Sequence, residues 1–255
     1  MSPETPSDPP AVSPPTAATA PDPLAVWAVL AVVVFPYLAA DLGPFLRAVV
    51  RQSYHDGLTS LTGALSLVAV VVLACRGTAV RAGDLGLVWP VRVSDVAVGV
   101  LLTVIVFVGY RAVRTAFTGS SWETELAHYR EAAIRPVGLL SWAVVLVSTL
   151  AHAFAEEFVF RGYLVSRLLR LLDSRAWAVV VSSVAFGGTH LYQQAIGAAG
   201  ATVFGVLMAV AFLHTGRLWP AVVAHSLYNL VPYLLSNHPE YIPFDDASPV
   251  TKAEW

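Results

Sequence analysis

Apolar residues recur along this chain in unbroken runs, and polar residues gather between the runs rather than alternating with them. A helix needs about 20 apolar residues to cross the hydrocarbon of a bilayer. Runs near that length fall at Leu24–Ala40, Leu58–Cys75, Val93–Tyr110, Val137–Val159, Ala176–His190, Ala195–Leu213 and Leu218–Leu235. The pattern predicts an all-α, polytopic transmembrane helical bundle of seven to eight spans. Pro36 interrupts the first run, which a membrane helix tolerates as a kink. Tyr163–Leu172 sets Arg167 and Arg170 three apart among leucines, and this predicts an amphipathic helix lying along the membrane surface.

The polar stretches divide the chain. Residues 1–22 are rich in Pro, Ser, Thr and Ala with no Lys or Arg, which reads as a disordered tail without the basic region of a secretory signal. Residues 23–136 form an N-terminal set of transmembrane helices with a polar loop. Residues 137–235 form a C-terminal core, and residues 236–255 a polar tail. Within the second region, Arg76–Arg92 contains Gly83-Asp84-Leu85-Gly86-Leu87-Val88-Trp89-Pro90, a connector of turn residues with an interfacial Trp. Residues 111–136 are the most polar interior stretch and predict a surface excursion that is partly helical. Asp95 falls in the first turn of the third run, where a carboxylate suits the helix dipole.

Composition agrees with this picture. Of 255 residues, 56% are hydrophobic and 13% charged, half the usual share for a soluble domain, and the mean hydropathy is +0.67. A multi-pass integral membrane protein follows, with a bacterial plasma membrane as the expected location and the lipid bilayer as its partner. The net charge of −2 provides no basic stripe, so no nucleic acid is expected. The single cysteine, Cys75, excludes an internal disulfide and a Cys-based zinc cluster. Arg and Lys are spread evenly over alternate loops, so they do not fix orientation.

Against this background, Ala155-Glu156-Glu157-Phe158-Val159-Phe160-Arg161-Gly162 stands out. An ionisable group within hydrocarbon costs about 2.5–3.5 kcal/mol even on insertion scales, so it needs a cavity or a partner. Glu157 and Arg161 are four apart and pair on one helical face; Glu156 is turned about 100° away. Two further pairs at the same spacing, Phe186/His190 and His225/Asn229, lie on later runs. These groups are economical in a membrane only if they meet around a wet pocket. A carboxylate, two imidazoles and a carboxamide suit hydrolysis by an activated water with donors for an oxyanion. Alternatively, Glu156, His190 and His225 are candidate ligands for a divalent metal such as zinc. The H-E-x-x-H signature is absent, which favours the metal-free version; the cofactor stays unknown, none or a divalent ion.

The three pairs, in order, resemble the CPBP family, intramembrane proteases related to type II CaaX prenyl endopeptidases and bacterial Abi proteins. Its signatures E-E-x-x-x-R, F-x-x-x-H and H-x-x-x-N are matched by Glu156, Glu157 and Arg161, by Phe186 and His190, and by His225 and Asn229. Phe160-Arg161-Gly162-Tyr163, Leu218-Trp219-Pro220-Ala221 and Leu85-Gly86-Leu87 are also similar to the family. The resemblance implies a peptidase, described in some members as a metalloendopeptidase, acting on a membrane-associated peptide or protein substrate. In it Glu156 with His190 activates water, His225 with Asn229 holds the oxyanion, and Glu157 and Arg161 are structural, with Phe186 as cavity wall.

Plainer readings stand beside these. His152, four before Glu156, has no counterpart in the signatures and reads as a satisfied structural histidine. His214 reads as a cap at a helix C-terminus. Gly197, Ala201 and Gly205, spaced four apart, read as a close-packing stripe. Asp41 reads as interfacial. The competing function is a transporter, or a binding or immunity protein, that uses the same polar pocket without cutting. No internal repeat and no paired broken helices favour that carrier.

Overall fold

A computed structural model describes residues 52–76, 78–119, 121–131 and 135–237. The expected N-terminal tail, the first span at Leu24–Ala40, Asp41 and nearly all of the C-terminal tail lie outside the described residues. Within them the chain is all helical, with no strand. The long helices are α1 (Gln52–Cys75), α2 (Val93–Thr118) and α4 (Leu139–Glu157, continued by a π-helical segment, Phe158–Val165, and by Ser166–Leu172). A short α3 (Trp122–Glu131) occupies the polar excursion. Three more helices follow: α5 (Arg175–Gly188), α6 (Gln194–Thr215) and α7 (Trp219–Leu235).

Four of these helices are long and apolar enough to cross a membrane: Asp56–Cys75, Val93–Ala112, Leu139–Leu172 and Leu191–Thr215. Their outward residues are apolar too: Leu65, Leu101, Val147 and Val203 are each more than half exposed. A water-soluble protein does not keep such a surface, whereas a lipid-facing one requires it. The protein is therefore an integral membrane protein. The expected fifth and seventh spans are shorter helices of 14 and 17 residues. At 1.5 Å per residue the 14-residue helix reaches about 21 Å, less than a hydrocarbon core. A helix that stops short is tolerated where its end is buried in protein.

Another departure is at Tyr163–Leu172, predicted to lie along the surface as a separate helix. It continues α4 without a break, and Tyr163, Leu164 and Val165 are buried. The physical reason lies in the π-helical turns from Phe158 to Val165, whose i→i+5 bonding widens the helix and rotates the faces that follow. Gly162 sits within this segment. A Cβ there would stand 2.9 Å from the Leu85 carbonyl oxygen, so only glycine lets the helix meet the connector so closely.

That connector is part of the core. It forms a single 3₁₀ turn (Ala82–Leu85) closed by Gly86 at φ 74°, and Leu85 is buried. The Gly86 carbonyl accepts from Leu218 N–H at 2.9 Å, and the Val88 carbonyl accepts from Trp219 Nε1 at 2.8 Å. Arg217 completes the join. Its Nε and Nη2 both donate to Asp95 at 2.8 Å, and Nη2 also reaches the carbonyls of Val88 (3.1 Å) and Pro90 (2.6 Å). Asp95 also accepts from Arg92 N–H at 2.8 Å, which caps the start of α2. Asp95 is thus more than a helix-dipole residue. It ties α2, the connector and the start of α7 at one buried point.

Elsewhere α1 packs along α4, α5 along α6, and α7 against both α2 and α4. A Cβ on Gly205 would stand 3.0 Å from the Ser183 Cα, so this part of the small-residue stripe does bring α6 close to α5. Gly197 and Ala201, in contrast, line a cavity. The stripe is divided between packing and open space.

Candidate active site

The site is built around the last turn of the regular part of α4. Glu157 is fully buried and Arg161 nearly so, and their Oε1 and Nη1 lie 3.0 Å apart. The guanidinium also stacks 4.3 Å from the Phe186 ring centroid, so Phe186 covers a buried cation. This pair keeps open atoms. Among the described residues, Arg161 Nη1 and Nη2 and Glu157 Oε2 are buried without an aligned hydrogen bond.

His225, from α7, is the hub. Its Nδ1 is 2.8 Å from Glu157 Oε1 and its Nε2 is 3.4 Å from Glu156 Oε2. An ionised carboxylate only accepts, so Nδ1 carries a proton toward Glu157, and Nε2 is the ring atom left for chemistry. The spacing of Glu157 in the sequence pointed to Arg161 alone. Its second partner lies 68 residues on, and no periodicity announces it.

Glu156 is bracketed. Oε1 lies 3.3 Å from His152 Nε2, and Oε2 faces His225, buried and with no hydrogen bond among the described residues. His152 thus touches the carboxylate that its spacing suggested, with its own side chain about one-third exposed.

His190 follows the end of α5. Its Nδ1 lies 2.9 Å from the Phe186 carbonyl and 3.1 Å from Thr189 Oγ1. Because a carbonyl cannot donate, Nδ1 holds the hydrogen, and Nε2 of the neutral ring has its lone pair free. The Phe186 ring is near both imidazoles, 4.6 Å from His190 and 6.0 Å from His225 by ring centroids.

A cavity of about 430 Å³ opens beside these residues. Phe186, His190, His225 and Asn229 line it, together with apolar and small residues of α2 and α6. Glu156 is not in its wall and reaches it through His225. Three aromatic lining residues carried no sequence signal: Tyr110, Phe204 and Tyr228. Phe204 stands 4.9 Å from the His225 ring. An aromatic residue in an apolar run looks the same whether it fills a core or walls a cavity.

The metal alternative can be set against this donor geometry. Among the described residues no three His, Cys, Asp or Glu side chains are arranged to hold an ion. The committed Nδ1 atoms of His225 and His190 leave an Nε2 on each ring, as in an ordinary histidine ligand, so the contacts of the separate rings do not decide the matter.

No curated protein and no solved structure matches the chain. A protease family does, over the stretch that carries all of these residues: residues 138–231 match the family described as type II CAAX prenyl endopeptidase Rce1-like, the kinship its three motifs indicate.

Proposed function

We propose that this protein is an intramembrane endopeptidase that hydrolyses a peptide bond of a membrane-associated peptide or protein. The observation that carries the reading is the open, buried Oε2 of Glu156, 3.4 Å from Nε2 of His225, which with His190 and Asn229 lines the cavity. An unsatisfied carboxylate oxygen in a protein interior is costly, and functional sites are where such costs concentrate.

In this reading a water bound between Glu156 and His190 attacks the scissile carbonyl. Glu156 takes its proton, while the free Nε2 of His190 accepts from the same water and aims it. The proton on Glu156 passes to His225 Nε2 across the 3.4 Å gap, and the N–H so formed, with the Asn229 carboxamide, donates to the oxyanion. Collapse of the tetrahedral intermediate breaks the C–N bond. The proton returns through His225 to the leaving amine. Glu157 balances the charge on His225 throughout, and Arg161 holds Glu157. No metal takes part in these steps.

The test is Glu156→Gln, assayed on a membrane-anchored peptide in detergent or proteoliposomes. Cleavage should fall to background while the variant inserts and unfolds as the wild type does. Undiminished cleavage would remove Glu156 from the chemistry.

A further inference from the structure

Glu156 is flanked by two imidazoles, and only one of them belongs to the motifs already discussed. His225 presents Nε2 to Oε2 at 3.4 Å, but its Nδ1 is committed to Glu157 at 2.8 Å. In the neutral ring that commitment leaves Nε2 as a bare lone pair, which repels a carboxylate oxygen rather than holding it. Glu156 therefore needs a donor from elsewhere before any proton has moved. His152 Nε2, 3.3 Å from Oε1, is in place to be that donor.

The arrangement is local and stiff. His152 and Glu156 are one turn apart on the regular part of α4, ahead of the π-helical segment, so helical geometry places one side chain over the other. The pairing engages Oε1 and leaves Oε2 turned to His225, which is the oxygen that lacks a hydrogen bond among the described residues. Without His152, the carboxylate can rotate about its terminal torsion, which is broad and weakly restrained in glutamate. Both oxygens then exchange places.

We infer that His152 is a positioning residue for the reaction: it donates to Oε1 of Glu156 and so fixes Oε2 toward His225 and the cavity. This rests on the peptidase reading. His152 itself does not touch the reacting atoms.

The experiment compares His152→Leu, His152→Gln and Glu156→Gln on one membrane-anchored peptide, with kcat, KM and thermal unfolding measured for each. Glutamine places an amide N–H near the position of Nε2; leucine does not. His152→Leu should lower kcat on the order of 10- to 100-fold with KM nearly unchanged, the usual effect of a misplaced reacting group. His152→Gln should recover most of that loss. In the Glu156→Gln background, His152→Leu should cause no further loss, because nothing is left to position. A leucine variant with wild-type kcat would overturn the inference, and so would a glutamine variant as slow as the leucine one. Should leucine fail to fold, His152→Gln against His152→Glu, which cannot donate when ionised, decides the same question. Full cleavage by Glu156→Gln would instead defeat the peptidase mechanism, so the two failures are distinct.

Discussion

Among the described residues, two buried arginine–carboxylate pairs differ in how completely they are satisfied. Asp95–Arg217 is closed: two donors of Arg217 meet the two oxygens of Asp95, and the remaining contacts go to the Val88 and Pro90 carbonyls and the Arg92 N–H. Glu157–Arg161 is open, sharing one short approach of 3.0 Å and leaving buried atoms of both partners without hydrogen bonds. Desolvating two charges is repaid only when geometry and further hydrogen bonds are good. The first pair meets that condition and is a clamp. The second does not, and the atom that shares its charge is the catalytic candidate His225.

If the contrast is right, the two pairs respond differently to mutation. The largest effect is expected at the clamp. Arg217→Met strands Asp95 in the interior and should cost about 3–5 kcal/mol of stability. Thermal unfolding in detergent reads that loss, while cleavage per folded molecule stays at the wild-type level. Glu157→Gln should do the reverse. It keeps the shape but removes the charge opposite His225, and kcat should drop about 10- to 100-fold, roughly 1.4–2.7 kcal/mol of barrier. The shift in unfolding should be smaller than for Arg217→Met; if both variants lose stability alone, the distinction is broken.

Gly162→Ala should cost about 1–3 kcal/mol by overpacking, since its Cβ meets the Leu85 carbonyl. The drop would show that the connector is fastened to α4. Replacing both members of the clamp, Asp95→Leu with Arg217→Met, should bring stability back to within about 1–2 kcal/mol of wild type, because an apolar pair carries no desolvation debt. The smallest effect is expected from chelation. Removing divalent ions should leave the cleavage rate unchanged, and a loss restored by zinc would overturn the metal-free steps.

Much of the candidate site was legible because its members sit at helical spacing. Glu157 and Arg161, Phe186 and His190, and His225 and Asn229 are each four residues apart, and repeat distances along a helix are fixed by covalent geometry. What spacing could not reveal were contacts between runs. Asp95 and Arg217 are separated by 122 residues; Asp95 read only as a helix-dipole charge, and nothing in the local pattern singled out Arg217. The second partner of Glu157 was hidden for the same reason. The continuation of α4 through Phe158–Val165 was missed because periodicity assumes 3.6 residues per turn, and π-helical turns break that count. The amphipathic pattern after Gly162 belonged to a helix that had already rotated.

The sequence by itself settled that this is a helical membrane protein, and which few polar side chains its membrane helices must accommodate. Hydrocarbon length and the cost of buried charge leave little choice in either matter. Only the tertiary structure decided which carboxylate faces which ring: that Glu157 takes Nδ1 of His225, that Glu156 stands between His152 and His225, and that His225 rather than Glu156 lines the cavity. Those choices depend on how helices distant in sequence are set against one another, within tenths of an ångström. Packing determines that register, and no single run of residues contains it.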